Sequence, residues 1–69
     1  MSQNYKVTAF IPDMGSYVTV AHANGTESLQ ENALWDFNSA RRHDGLDEMT
    51  LPQFRRHILD GRVKFTPIN

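Results

Sequence analysis

The chain contains no cysteine, so neither a disulfide nor a thiolate metal site can hold it together. An absence of cysteine fits a reducing compartment. Glycine and proline are few, four and three, and they are scattered. No phosphate-cradling glycine loop can be assembled from them. The longest apolar runs are short, and the polar start Met1-Ser2-Gln3-Asn4-Tyr5-Lys6 leads into none of export or membrane length. Asn24-Gly25-Thr26 matches a glycosylation acceptor, but without an export signal that match carries no weight. An excess of either charge is also missing. Seven Lys/Arg against eight Asp/Glu leave −1, unlike the basic balance of most nucleic-acid binders.

With 69 residues the chain is one domain at most, read here as residues 1–69. A chain so short buries only roughly 60% of its unfolded surface, and its margin of stability is thin. Charge is spread unevenly. Residues 1–40 hold Lys6 against Asp13, Glu27, Glu31 and Asp36, net −3, whereas residues 41–69 hold six bases against four acids, net +2. That asymmetry points to one basic surface on a near-neutral molecule.

What is present is a sequence of alternating and helical patterns. Tyr5 to Ile11 alternates, with Tyr5, Val7, Ala9 and Ile11 on one face and Lys6, Thr8 and Phe10 on the other. Pro12-Asp13-Met14-Gly15-Ser16 is dense in turn formers and reads as a five-residue hairpin loop. Tyr17 to Ala21 resumes the alternation, and the pattern predicts Val18 and Val20 inside, with Tyr17 and Thr19 outside. Asn24-Gly25 ends the strand.

Ser28-Leu29-Gln30-Glu31 reads as a capping box that opens a helix over about residues 28–43. Leu29, Ala33, Phe37 and Ala40 fall within about a quarter turn of one another, with Leu34 beside them. Arg41, Arg42 and His43 complement the last carbonyls, and Gly45 follows as the stop. Thr50-Leu51-Pro52-Gln53 repeats the capping logic for a short second helix with Leu51, Phe54 and Ile58 inward, and Gly61 ends it. Arg62-Val63-Lys64-Phe65-Thr66 alternates as a third strand, Val63 and Phe65 in, Arg62 and Lys64 out. The expected fold is therefore α+β. It is a small β-β-α-α-β domain whose three-stranded, mainly antiparallel sheet carries one main helix on a face and a short second helix. Val7, Ile11, Val18, Val20, Leu29, Phe37, Phe54, Ile58 and Phe65 form the expected core.

Catalytic signals are thin. His22, His43 and His57 lie on different elements with no ligand spacing between them, and neither HExxH nor CxxC occurs. None of the serines sits in a GxSxG elbow. A domain of this size has little room for a walled pocket of roughly 300 Å³ or more. The expectation is a non-enzyme with no catalytic residues, no metal and no cofactor.

Two surfaces remain. Trp35 falls opposite the apolar stripe of its helix, and tryptophan and arginine are enriched among binding hot spots. Trp35 with Arg55, Arg56, Arg62 and Lys64 is one candidate surface, suited to a larger protein with an acidic patch. Burial of Trp35 inside the fold and self-association into a homodimer through it are the competing readings. The other surface is the outward sheet face. Lys6, Phe10, Tyr17, Arg62 and Lys64 would there offer rings for bases and cations for phosphate. Taken as a complete product, the chain is expected to be a cytoplasmic protein without membrane contact. It would modulate a larger protein by occupying its surface, as small inhibitors of phages and mobile elements do. A small nucleic-acid-binding module is the alternative.

Overall fold

The computed structural model describes residues 3–68. Strands β1 (Gln3–Ile11) and β2 (Gly15–Ala23), helices α1 (Thr26–His43) and α2 (Leu51–Leu59), and strand β3 (Val63–Ile68) follow in the expected order. The sheet is antiparallel throughout, in the order β2-β1-β3. Both helices cover one face of it, α1 over β2 and α2 toward β3.

The hairpin is tighter than the composition of its loop suggests. Met14 N–H donates to the Ile11 carbonyl at 2.9 Å, closing a turn, and Gly15 follows at φ 78° already paired with Ile11. Only glycine enters that left-handed region at little cost, which is why the strand can begin there. Three residues instead of five thus connect the strands.

The register then places Tyr17 opposite Ala9, Thr19 opposite Val7 and Ala21 opposite Tyr5. Residues directly opposite in an antiparallel pair share a face. Tyr17, Thr19, Ala21 and Ala23 are therefore the inward set, and Val18 and Val20 point outward. This corrects the expected core and the expected outer face together. The packing explains why the inverted phase is the stable one. Helix α1 lies directly on β2, and the small side chains of Ala21 and Ala23 let it approach. Tyr17 fills the wider end, its ring 4.9 Å from Phe37 and edge-on at 76°.

The core gathers Val7, Ala9, Ile11, Ala21, Ala23, Leu29, Ala33, Phe37, Met49, Phe54 and Val63. Phe37 also meets Phe54 edge-on, at 5.1 Å. Ile58 and Phe65, expected inside, are half-buried against this cluster. Met49 enters it from the connector between the helices, where no periodicity announced it.

Helix α1 starts earlier than the capping box implies. Gly25 is its N-cap, and the Gly25 carbonyl accepts from Leu29 N–H at 3.0 Å. The Ser28 hydroxyl instead donates to the Gly25 carbonyl at 3.3 Å and accepts from Asn24 N–H at 3.2 Å, so it braces the turn leaving β2. At α2 the expected box is in place. Thr50 Oγ1 accepts from Gln53 N–H at 3.3 Å, and Gln53 Oε1 accepts from Thr50 N–H at 2.9 Å. That helix closes with Arg62 N–H on the His57 carbonyl (2.9 Å) and Gly61 N–H on the Ile58 carbonyl (3.1 Å). This double closure turns the chain into β3.

Candidate functional site

Among the described residues nothing covers the sheet face away from the helices. Its positions follow from the pairing: Val18 lies across from Thr8 and Thr8 from Lys64, Val20 from Lys6 and Lys6 from Thr66, His22 from Asn4 and Asn4 from Ile68. Phe10 completes the face beside Ser16, and its N–H donates to the Arg62 carbonyl at 2.9 Å, so Arg62 stands next to it. Phe10, Val18 and Val20 are 62, 59 and 57% exposed. Phe10 and Val18 are diagonal neighbours in this register, and Val20 follows Val18 on the same face.

Among the described residues the charges on this face are all of one sign. Lys6, Arg62 and Lys64 are exposed there, and none of the outward strand positions among the described residues is acidic. Arg62 also reaches Asp60 below the strand at 2.7 Å. Because the chain is −1 overall, a positive face implies a negative remainder. A shallow hollow of about 290 Å³ separates Phe10 from Arg62 and Lys64.

Trp35 is 71% exposed, which removes the reading that buried it within the fold. It stands beside the free edge of β2, sharing a second hollow of about 290 Å³ with Val20, His22, Asn32 and Asp36. Asp36 is held by the Thr19 hydroxyl, and Asn32 Nδ2 donates to the His22 carbonyl at 2.6 Å. The sheet face therefore continues around Val20 and His22 to the tryptophan. One surface runs from Lys64 and Phe10 across Val18 and Val20 to Trp35.

Not all of the expected site residues join it. Arg55 and Arg56 sit on α2 in the helical layer. Arg55 Nε donates to Gln30 Oε1 at 2.9 Å, and Arg56 is 3.7 Å from Asp60. Tyr17 has turned inward onto Phe37, and its hydroxyl is pushed above the usual tyrosine range by burial and then by the Asp36 charge. Of the expected nucleic-acid set, Lys6, Phe10, Arg62 and Lys64 remain on the outer face, with one ring among them. Val18, Val20 and His22 belong to the surface although alternation alone had placed the two valines inside. The missing signal was the hairpin phase.

On the helical side an open hollow of about 430 Å³ is lined by Asp13, Arg41, Asp47, Glu48 and His57, among others. Its charges hold the fold. Buried Arg41 grips Asp13 with both terminal nitrogens at 2.9 Å, and its Nε donates to the Asp47 carbonyl at 2.5 Å. One guanidinium thereby ties the hairpin turn to the end of α1 and to the connector, in the bidentate geometry that suits arginine. Glu48 pairs with Arg42 at 3.1 Å. His57 Nδ1 is shielded and has no partner. Among the described residues no three His, Asp or Glu side chains converge as a metal would need, and no helix is long and apolar enough to cross a membrane.

The Arg41 hydrogen bonds hold the Asp13 carboxyl below its ordinary value. A depressed folded-state pKa contributes stability that is present above the ordinary aspartate pKa, about 3.9, and is lost as pH falls through the lower folded value. Asp13→Asn should therefore lower the urea midpoint at neutral pH, and the gap from the wild type should close as the solution is acidified below about pH 4. An equal gap at all pH values would mean that the carboxylate charge is not what Arg41 uses.

Compared with known proteins, the chain matches no family model, no curated protein and no solved structure, so its function rests on its own residues.

Proposed function

We propose that this chain is a non-enzymatic protein-binding module that occupies an acidic, partly apolar surface of a larger protein and so modulates it. The observation that carries this reading is the bare sheet face. It combines exposed Phe10, Val18 and Val20 with Lys6, Arg62 and Lys64, lacks any carboxylate among the described outward positions, and continues to exposed Trp35. Cations on one face of a slightly negative chain steer an acidic partner and orient it, while the apolar side chains and the indole supply contact area once it has docked. Strands with a core behind them hold these groups in place, so little is lost in ordering them.

The same cations would attract phosphate. Stacking of successive bases, however, needs successive rings, and the outer face offers Phe10 with aliphatic neighbours. Protein is therefore the better-matched partner. The test is affinity capture from host extract with the wild type, Trp35→Ala and the double reversal Lys6→Glu/Lys64→Glu. A defined protein should be retained by the wild type, with affinity at least fivefold weaker for Trp35→Ala. Charge reversal should slow association most at low salt. Both variants should melt like the wild type, since all three positions are exposed. Retention of the same protein by both variants would sink the proposal. So would retention on oligonucleotides that falls steeply with salt and ignores Trp35.

A further inference from the structure

We propose that the chain also self-associates through β2, two copies pairing these strands antiparallel about a two-fold axis at Val18 to make one continuous six-stranded sheet. The inference is independent of the larger partner. It rests on the main-chain groups of the free edge.

The direction of those groups follows from two hydrogen bonds. Phe10 N–H donates to the carbonyl of Arg62, the residue just before β3, so the backbone of Phe10 faces away from β2. Its opposite residue on β2, Ser16, then faces away from β1, because opposite residues in an antiparallel pair either bond each other or both point outward. The His22 carbonyl, six residues on and in the same phase, does point off the edge, where Asn32 Nδ2 meets it at 2.6 Å. Ser16, Val18, Val20 and His22 therefore present the free edge, and Asn32 occupies it at His22. What is left open is Ser16, Val18 and Val20.

That set is symmetric about Val18. Paired with itself antiparallel, Val18 faces Val18, and Ser16 faces Val20 twice. Each such pair exchanges two main-chain bonds, about six in all. The pairing is isologous and closed, the commonest form of dimer. Helix α1, through Asn32, stops the ladder where the symmetry would otherwise be lost.

The two edges of the sheet are differently protected. On β3 the off-edge positions include Pro67, which has no N–H to give, and charged Lys64 lies on that strand with Arg62 just before it. Strand β2, Gly15–Ala23, is nine residues long without a proline, lysine, arginine or carboxylate. A long neutral edge of β-branched residues is the kind that pairs. A second copy suits it because neither copy brings charge to the axis. Stacking the bare faces would instead set Lys6, Arg62 and Lys64 of one copy against those of the other. Pairing at the edge keeps the basic faces side by side, pointing the same way. Trp35 shares the hollow at Val20 and would come against the Ser16 end of the second copy.

The experiment is sedimentation of the full chain from low micromolar to near-millimolar concentration, with emission of its single tryptophan and amide exchange followed on the same samples. The expected result is a reversible monomer–dimer equilibrium, blue-shifted Trp35 emission in the dimer, and slower exchange at Val18 and Val20 as concentration rises. Val18→Lys sets two like charges across the axis. Because Val18 is exposed in the monomer, that variant should melt like the dilute wild type while dimerising at least tenfold more weakly. Thr66→Lys, on β3, should dimerise like the wild type. A chain that stays monomeric at every concentration overturns the proposal. So does a dimer that Val18→Lys leaves intact, or one whose Val18 and Val20 amides exchange no more slowly.

Discussion

Phe37→Ala is expected to abolish cooperative folding at ordinary temperature. Phe37 is fully buried, at 0% exposure, and its ring joins three elements: Tyr17 of β2 edge-on at 4.9 Å, Phe54 of α2 at 5.1 Å, and its own helix. Truncating a buried phenylalanine costs about 3–5 kcal/mol in lost burial and cavity. Each edge-to-face pair adds roughly 0.5–1.5 kcal/mol beyond area, not fully additive. A domain of this length rarely has more than about 3–5 kcal/mol in total, and this one has no disulfide to limit the unfolded state. Thermal denaturation followed by circular dichroism should show no sigmoidal transition for the variant. Phe10→Ala, which removes an exposed ring, should keep one. A Phe37→Ala protein that melts within a few degrees of the wild type would show that the three elements are held by something other than this ring.

Asn38→Ala should be the next most damaging change. Asn38 is buried on α1 and makes a two-bond clip with the backbone of Met49. Its Nδ2 donates to the Met49 carbonyl at 2.9 Å, and its Oδ1 accepts from Met49 N–H at 2.8 Å. The connector from Asp44 to Thr50 has no ladder of its own, so this clip positions it together with the Arg41–Asp47 bond, the Leu46 N–H on the Arg41 carbonyl and the Arg42–Glu48 pair. Alanine leaves two dry main-chain groups unpaired, each costing about 1–3 kcal/mol. It also releases the Met49 side chain from the core. A fall of about 2–4 kcal/mol in urea stability is expected. A change within about 0.5 kcal/mol, the range of an ordinary surface substitution, would mean that water replaces the amide without loss.

Much of the architecture is local and was readable in one dimension. The Thr50–Gln53 box, the glycine stops and the 3.6-residue stripe through Leu29, Ala33 and Phe37 each depend on residues within a turn of one another. So does the place of Trp35 opposite that stripe, although its exposure followed only from the fold. The inward set of β1 was legible because its two faces differ in polarity. β2 is apolar on both faces, Val18 and Val20 on one and Tyr17, Ala21 and Ala23 on the other, so alternation could not say which is the core. A slip of one residue exchanges the two faces of a strand, and here the phase was set by the Ile11–Met14 turn and by how closely α1 can lie on alanine. Burial of Arg41, Asn38 and Met49 likewise needed the hairpin turn, the end of α1 and the connector to meet, a matter of residues as far apart as Asp13 and Arg41. The order of elements, the cap of α2 and the helix side bearing Trp35 were thus determined by the sequence locally, whereas the start of α1 was not. Which face of β2 meets water, and hence the whole candidate surface, was decided only by tertiary packing, because strand phase is a property of the assembled sheet and not of the strand.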